Sequence, residues 1–259
     1  MIADLRAKIE NLEGSGGLAH PQRDVPSGVP VPFGVEAVDN ALRGGLRQAG
    51  LHEVTAADDS GAAAGFCAAM LTRLAGEDGT VVWCRREAGL YGPGLAALGL
   101  DPARLILVRP RRDADVLWSM EEGLRSRAPA AVLGETAGGG PIALRRLQLA
   151  AETGGVPAIL LRPPGALFVP GPALTRWRIG SARANLAALP EARLTGTAAG
   201  RASHLRLRWQ VELQRCRGGV PASWLMEWCD ETGGFAVAPD LRHRPARPAA
   251  TAGERRAAR

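Results

Sequence analysis

Apolar positions along this chain change their pattern part-way. From residue 51 to 161, short continuous apolar runs predict strands at Leu51 to Thr55, Thr80 to Cys84, Arg104 to Val108, Ala130 to Leu133 and Val156 to Leu161. Between them, apolar residues three or four apart predict helices. In Ala62 to Leu74 the inward stripe is Phe66, Met70, Leu71 and Leu74, and Gly76 follows where a helix end favours glycine. Asp113 to Ser126 presents Val116, Leu117, Met120 and Leu124, with Asp113 as its expected N-cap. Pro141 to Glu152 has proline in its first turn. Shorter helices are expected over Val35 to Leu42, ended by Gly44-Gly45, and over Gly94 to Leu98. Strands that are apolar throughout need cover on both faces, so this half predicts a parallel sheet between helices.

Further on the period becomes two. Leu205, Leu207, Trp209, Val211 and Leu213 alternate with polar residues, and Gly218-Gly219 offers a turn. Trp224, Met226 and Trp228 alternate again, and Phe235 to Val237 is a short run after another glycine pair. These predict an antiparallel extension with one wet face, which Thr175 to Ile179 is expected to join. The three tryptophans share their positions with Leu and Met and are expected in the core. The fold class is therefore α/β: a mostly parallel twisted sheet flanked by helices, with antiparallel strands at its C-terminal end.

At the N-terminus, Ile2, Leu5, Ile9 and Leu12 form one stripe of a short helix, and Gly14 to Pro32 reads as a linker. The expected division is 1–32 helix and linker, 33–240 main domain, and 241–259 a disordered tail. The formal charge of +6 changes little in this picture. Arg242, Arg244, Arg247, Arg255, Arg256 and Arg259 stand against Glu254 alone, so the tail carries +5 and the rest of the chain is nearly neutral. That tail is the candidate contact for nucleic-acid phosphates or for an acidic partner surface, with solubility as the third use. Arg109, Arg111 and Arg112 follow a strand end and are expected at a sheet rim. No aromatic residue is interleaved with them, which favours solvent or a partner there. Cys67, Cys84, Cys216 and Cys229 are dispersed, as are the four histidines. Reduced thiols and no metal site are expected. No apolar run approaches the roughly 20 residues of a membrane span, and no leader opens the chain, so a cytoplasmic location is expected.

The stretch Leu51 to Leu74 has the layout of strand, tight loop and helix, where a nucleotide domain carries its first phosphate loop. That loop requires glycine at its start, a lysine near its end and a hydroxyl on magnesium. Here Ala56 replaces the first glycine, Ala62 and Ala63 replace the lysine and the hydroxyl, and Asp58 and Asp59 add negative charge. A charge-assisted hydrogen bond contributes about 1.5–3 kcal/mol, and two such contacts are missing. The residues leave two readings: an emptied phosphate site, or a strand-turn-helix that never held phosphate. Asp113, Asp115, Glu121 and Glu122 are expected on a solvated helix face.

PFGVEAVDNALRGGLRQAGLHEV (Pro32 to Val54) resembles the lead-in to the phosphate loop of the RecA-like recombinases, with Glu53 matching a glutamate of that strand. Val81 to Pro110 is similar to the segment carrying the catalytic glutamate, which falls on Glu87. Ala128 to Glu135 resembles the strand ending in the magnesium-linked aspartate, whose place Gly134 takes. GLYGPGLAALGLDPARLILVR (Gly89 to Arg109), DADVLWSMEEGLR (Asp113 to Arg125), RRLQLAAETGGVPAILLRP (Arg145 to Pro163) and WQVELQRCRGGVPASWLMEW (Trp209 to Trp228) resemble the ImuA family. The resemblance runs from Phe33 to Val237. It implies a RecA-like accessory protein without an ATPase of its own and without a cofactor. It further implies work beside ImuB and a DnaE-type error-prone polymerase during damage-induced translesion synthesis, with RecA and DNA as further partners. It also implies distant similarity to SulA-type division inhibitors. Glu87 remains the base that an active nucleotidase would use.

Overall fold

The computed structural model describes residues 29–166, 170–182, 207–229 and 232–238. In chain order they form α1 (Glu36–Leu42), β1 (Gly50–Ala56), α2 (Ala62–Ala75), β2 (Val81–Cys84), α3 (Gly92–Ala97), a 3-10 turn (Pro102–Arg104) and β3 (Leu105–Val108). Then come α4 (Asp113–Ser126), β4 (Ala131–Glu135), α5 (Pro141–Gly154), β5 (Pro157–Arg162), β6 (Thr175–Ser181), β7 (Arg208–Cys216), β8 (Ala222–Cys229) and β9 (Gly234–Val237). The expected N-terminal helix over 2–12 and the arginine tail lie outside the described residues.

One sheet takes all these strands in the order β3-β2-β4-β5-β1-β6-β7-β8-β9. The pairs from β3 to β6 are parallel, and those from β6 to β9 are antiparallel. The expected fold class is what is found, with one refinement. β6 does more than join the antiparallel strands: it lies parallel to β1, with Glu53 opposite Arg176, and antiparallel to β7. It is the strand at which the sheet changes character.

Period two operates inside the buried strands as well. Val81 and Trp83 face one core together with Leu133, Ile159 and α2, while Val82 and Cys84 face a second core with Val132, Leu160, α4 and α5. Phe66, Met70, Leu71 and Leu74 of α2 are fully buried. Burying each such side chain contributes about 1.5–3 kcal/mol. The antiparallel half adds only to the first core. Trp209, Trp224 and Trp228 are buried as expected, while Gln210 and Gln214 stay exposed on the opposite face. Phe33 and Phe235 meet with ring centroids 4.5 Å apart, and Phe33 also stacks on Phe66 and Trp177. Two tryptophans of this half tie helices to it. Trp209 Nε1 donates to the Ala62 carbonyl at 2.9 Å, and Trp228 Nε1 donates to the Ala97 carbonyl at 3.0 Å.

Two helix-end expectations need correction, and so does one helix face. α1 stops at Leu42, but the left-handed residue that ends it is Arg43, ahead of the glycine pair. Gly45 has a separate duty: a Cβ there would lie 2.2 Å from the Val31 carbonyl oxygen, in the bridge joining Val31 to Leu46. Asp113 is the first residue of α4 and not its cap; Arg112 holds that position, and no side chain caps the helix. Asp113 turns its carboxylate to Arg86 instead, at 3.3 Å. The acidic face of α4 is only partly solvated. Glu121 is 4% exposed and binds Arg125 and Arg146, each at 2.5 Å. Its neighbour across the α4–α5 seam, which the helix's own period does not reveal, draws it in.

Candidate functional site

The parallel strands end together at a cleft of about 700 Å3. This is where an open α/β sheet offers a ligand site. The loop after β1 forms one wall, and it is closed upon itself. Ala57 N–H donates to the Ile179 carbonyl at 2.7 Å. Asp58 Oδ2 accepts from the Ser181 N–H at 2.8 Å and from the Ser181 hydroxyl at 3.0 Å. Its Oδ1 accepts from the Ser60 N–H at 3.0 Å and also from the Ser60 hydroxyl. These donors, the Ser60 hydroxyl foremost, hold the Asp58 carboxyl down at about 2. Ser60 Oγ in turn accepts the Ala62 N–H at 3.2 Å. Asp58 thus ties the loop to the end of β6, and Ser60 occupies an amide at the start of α2. Helix N-termini bind anions through such free amides. Ala63 is 3% exposed.

The cleft is acidic. Asp58, Asp59, Glu87, Asp113 and Glu135 line it, against Arg85, Arg86 and Arg162. The three cations already have partners. Arg85 lies 3.4 Å from Glu135, and Arg86 lies 3.3 Å from Asp113. Burial pushes the Glu135 carboxyl up, while Arg85 and the Trp83 indole N–H, 2.6 Å away, pull it back.

Arg162 belongs to the floor. Glu53, 2% exposed in β1, pairs with Arg176 at 2.6 Å and with Arg162 at 3.5 Å. Arg162 also donates to the carbonyls of Ala137 and Gly138 at 3.1 and 3.2 Å, which fixes the loop after β4. One residue before Glu53 in β1, His52 is fully buried and neutral, with a pKa lowered to about 4 by burial. Its Nε2–H faces the Arg47 carbonyl at 2.8 Å. Thr175 accepts the Trp177 indole N–H at 2.7 Å, so its hydroxyl is free to donate to His52 Nδ1, also at 2.7 Å. That chain satisfies a neutral imidazole and leaves an added proton without an acceptor.

No family model matches the chain. A comparison with curated proteins does find relatives. Protein ImuA from two strains of Caulobacter vibrioides is 37% identical to it over 203 residues, covering 75% of this chain and 82% of the relative. The chain belongs to the ImuA family.

In this ImuA-family chain, Glu87 is exposed at the margin of the cleft. Gly134 cannot carry an acid: a Cβ there would lie 2.2 Å from Met120 Sδ, because the position faces α4 and not the cleft. Glu135, one residue on, faces Trp83 and Arg85. Arg109 and Arg111 do reach the rim, where they and Arg86 surround a second hollow of about 460 Å3. Arg112 is exposed and pairs with Asp115 at 2.8 Å. Arg242, Arg244, Arg247, Arg255, Arg256 and Arg259 lie outside the described residues. All four cysteines are free thiols, and burial pushes that of Cys84 up to about 12. No helix among the described residues is long and apolar enough to cross a membrane.

Sequence reasoning missed the Glu53 cluster. A signal was available in the lone acid of an apolar strand, GLHEV, which demands a cation when the strand is central. Arg162 and Arg176 sit in the two strands that pair with β1.

Proposed function

We propose that this chain is a non-catalytic accessory protein of the damage-inducible, error-prone translesion synthesis machinery, acting through contacts with ImuB and a DnaE-type polymerase. RecA and DNA are further partners in this reading, and the segments 1–32 and 241–259 are its outlying contact surfaces. Family membership supports the setting. The observation that carries the non-catalytic part is the loop after β1. Its acid is tied to Ser60 and Ser181, its helix amide is engaged by Ser60, and Ala62 and Ala63 stand where cationic and hydroxyl groups would be needed. Phosphoryl transfer depends on positioning and on charge stabilisation of the phosphates. This wall offers repulsion instead.

The test is a pull-down of purified full-length chain with ImuB. Retention of ImuB at micromolar concentration is the expected result, and no retention of ImuB, RecA or DNA removes the proposal. A second reading has one observation in its favour: the open cleft with Glu87 at its margin. It is a weak nucleotidase, and ATP turnover abolished by Glu87→Gln would put it first.

A further inference from the structure

Cationic charge at the carboxyl end of the sheet gathers at the loop after β3 and not at the loop after β1. Arg86 follows β2, and Arg109 and Arg111 follow β3; the three surround one hollow, with Glu87 as the single acid in its wall. Arg109 and Arg111 are exposed, and among the described residues no carboxylate pairs with either. Aromatic interleaving was absent from the sequence around them, but the fold supplies a ring from elsewhere. Tyr91, brought by the turn between β2 and α3, is 72% exposed and lines the large cleft, whose wall shares Arg86 and Glu87 with the hollow. Its ring lies over Gly94, where an added Cβ would meet Tyr91 Cδ1 at 3.0 Å. One part of the ring is therefore braced by the first turn of α3, and the rest is open to solvent.

We infer that this rim binds single-stranded nucleic acid, with Arg109 and Arg111 on the backbone phosphates and Tyr91 stacking on a base. A positive groove beside an open aromatic ring is what sequence-tolerant single-strand binding requires. An acidic peptide would use the arginines and leave the tyrosine idle. This contact is separate from the C-terminal tail, and it stands whether or not ImuB is a partner.

The experiment is fluorescence anisotropy of the full chain with a labelled single-stranded oligonucleotide of mixed sequence, across a salt series. Arg109→Gln with Arg111→Gln is expected to reduce the log–log salt slope by about 1 to 1.5, since each single-strand phosphate contact contributes about 0.7. Tyr91→Ala is expected to weaken binding about tenfold, and Tyr91→Phe to restore it, because stacking needs the ring alone. Thermal midpoints of these surface variants should match the parent. Unchanged slope and affinity in the variants, with all binding lost on replacing the tail arginines by glutamine, would overturn the inference. So would polyglutamate competing as well as the oligonucleotide, or ATP competing equally per phosphate.

Discussion

Two loops at the same end of one sheet have opposite chemistry. The loop after β1 is acidic and satisfied internally: Asp58 accepts from Ser181 and Ser60, and Ser60 engages the first amide of α2. The loop after β3 is basic and open, with Arg109 and Arg111 exposed beside a hollow. In a nucleotide domain the first of these would hold the phosphates. Their contrast shows that one sheet can carry ligand-end loops of opposite charge on a common frame. The frame persists because apolar burial, at about 25 cal/mol per Å2, is indifferent to the ligand. The loops are free to change because little of the core depends on them.

The largest expected effect removes the buried carboxylate beneath the cleft. Glu53→Gln leaves Arg176 and Arg162 buried without their carboxylate, and Arg162 holds the loop after β4. A loss of about 3–5 kcal/mol is expected, read as a lowered urea midpoint with unchanged slope. An effect below about 1 kcal/mol would mean that the two arginines find other partners.

Acid acts next, through His52. Its imidazole is neutral in the folded chain down to about 4, whereas the unfolded chain takes up a proton near 6.5. The unfolded state therefore binds more protons in that window, and stability falls as pH drops from 6.5 towards 4. The full loss is about 3 kcal/mol, and His52→Gln should flatten that part of the profile.

A smaller change separates the two loops. Asp58→Ala frees Ser181 and Ser60 and loosens only the wall after β1, at a cost of about 1 kcal/mol. Hydrogen exchange at Ala57 and Ser181 should accelerate, while the amides of Arg109, Arg111 and Arg112 stay as they were. Equal acceleration in both loops would erase the distinction between them.

Much of the frame was legible in the residues. α2, α4 and the alternation in β7 follow their apolar periods, and the want of lysine and hydroxyl in the loop after β1 was visible in Ala62 and Ala63. What escaped depends on contacts distant in the chain. Glu53 meets Arg176, 123 residues on, through strand register. Glu121 is drawn in by Arg146 from α5. Tyr91 lines the cleft whose wall shares Arg86 with the arginine rim, and β6 takes both a parallel and an antiparallel neighbour. Local periodicity sets which face of an element is apolar; it does not name the element that will cover it.

The central claim is that this nucleotide-type frame no longer grips a triphosphate. Calorimetric titration of the full chain with ATP and magnesium addresses it directly. The account predicts no saturable heat up to about millimolar nucleotide, a level that corresponds to about −4 kcal/mol. Micromolar binding accompanied by phosphate release that Glu87→Gln abolishes would contradict it.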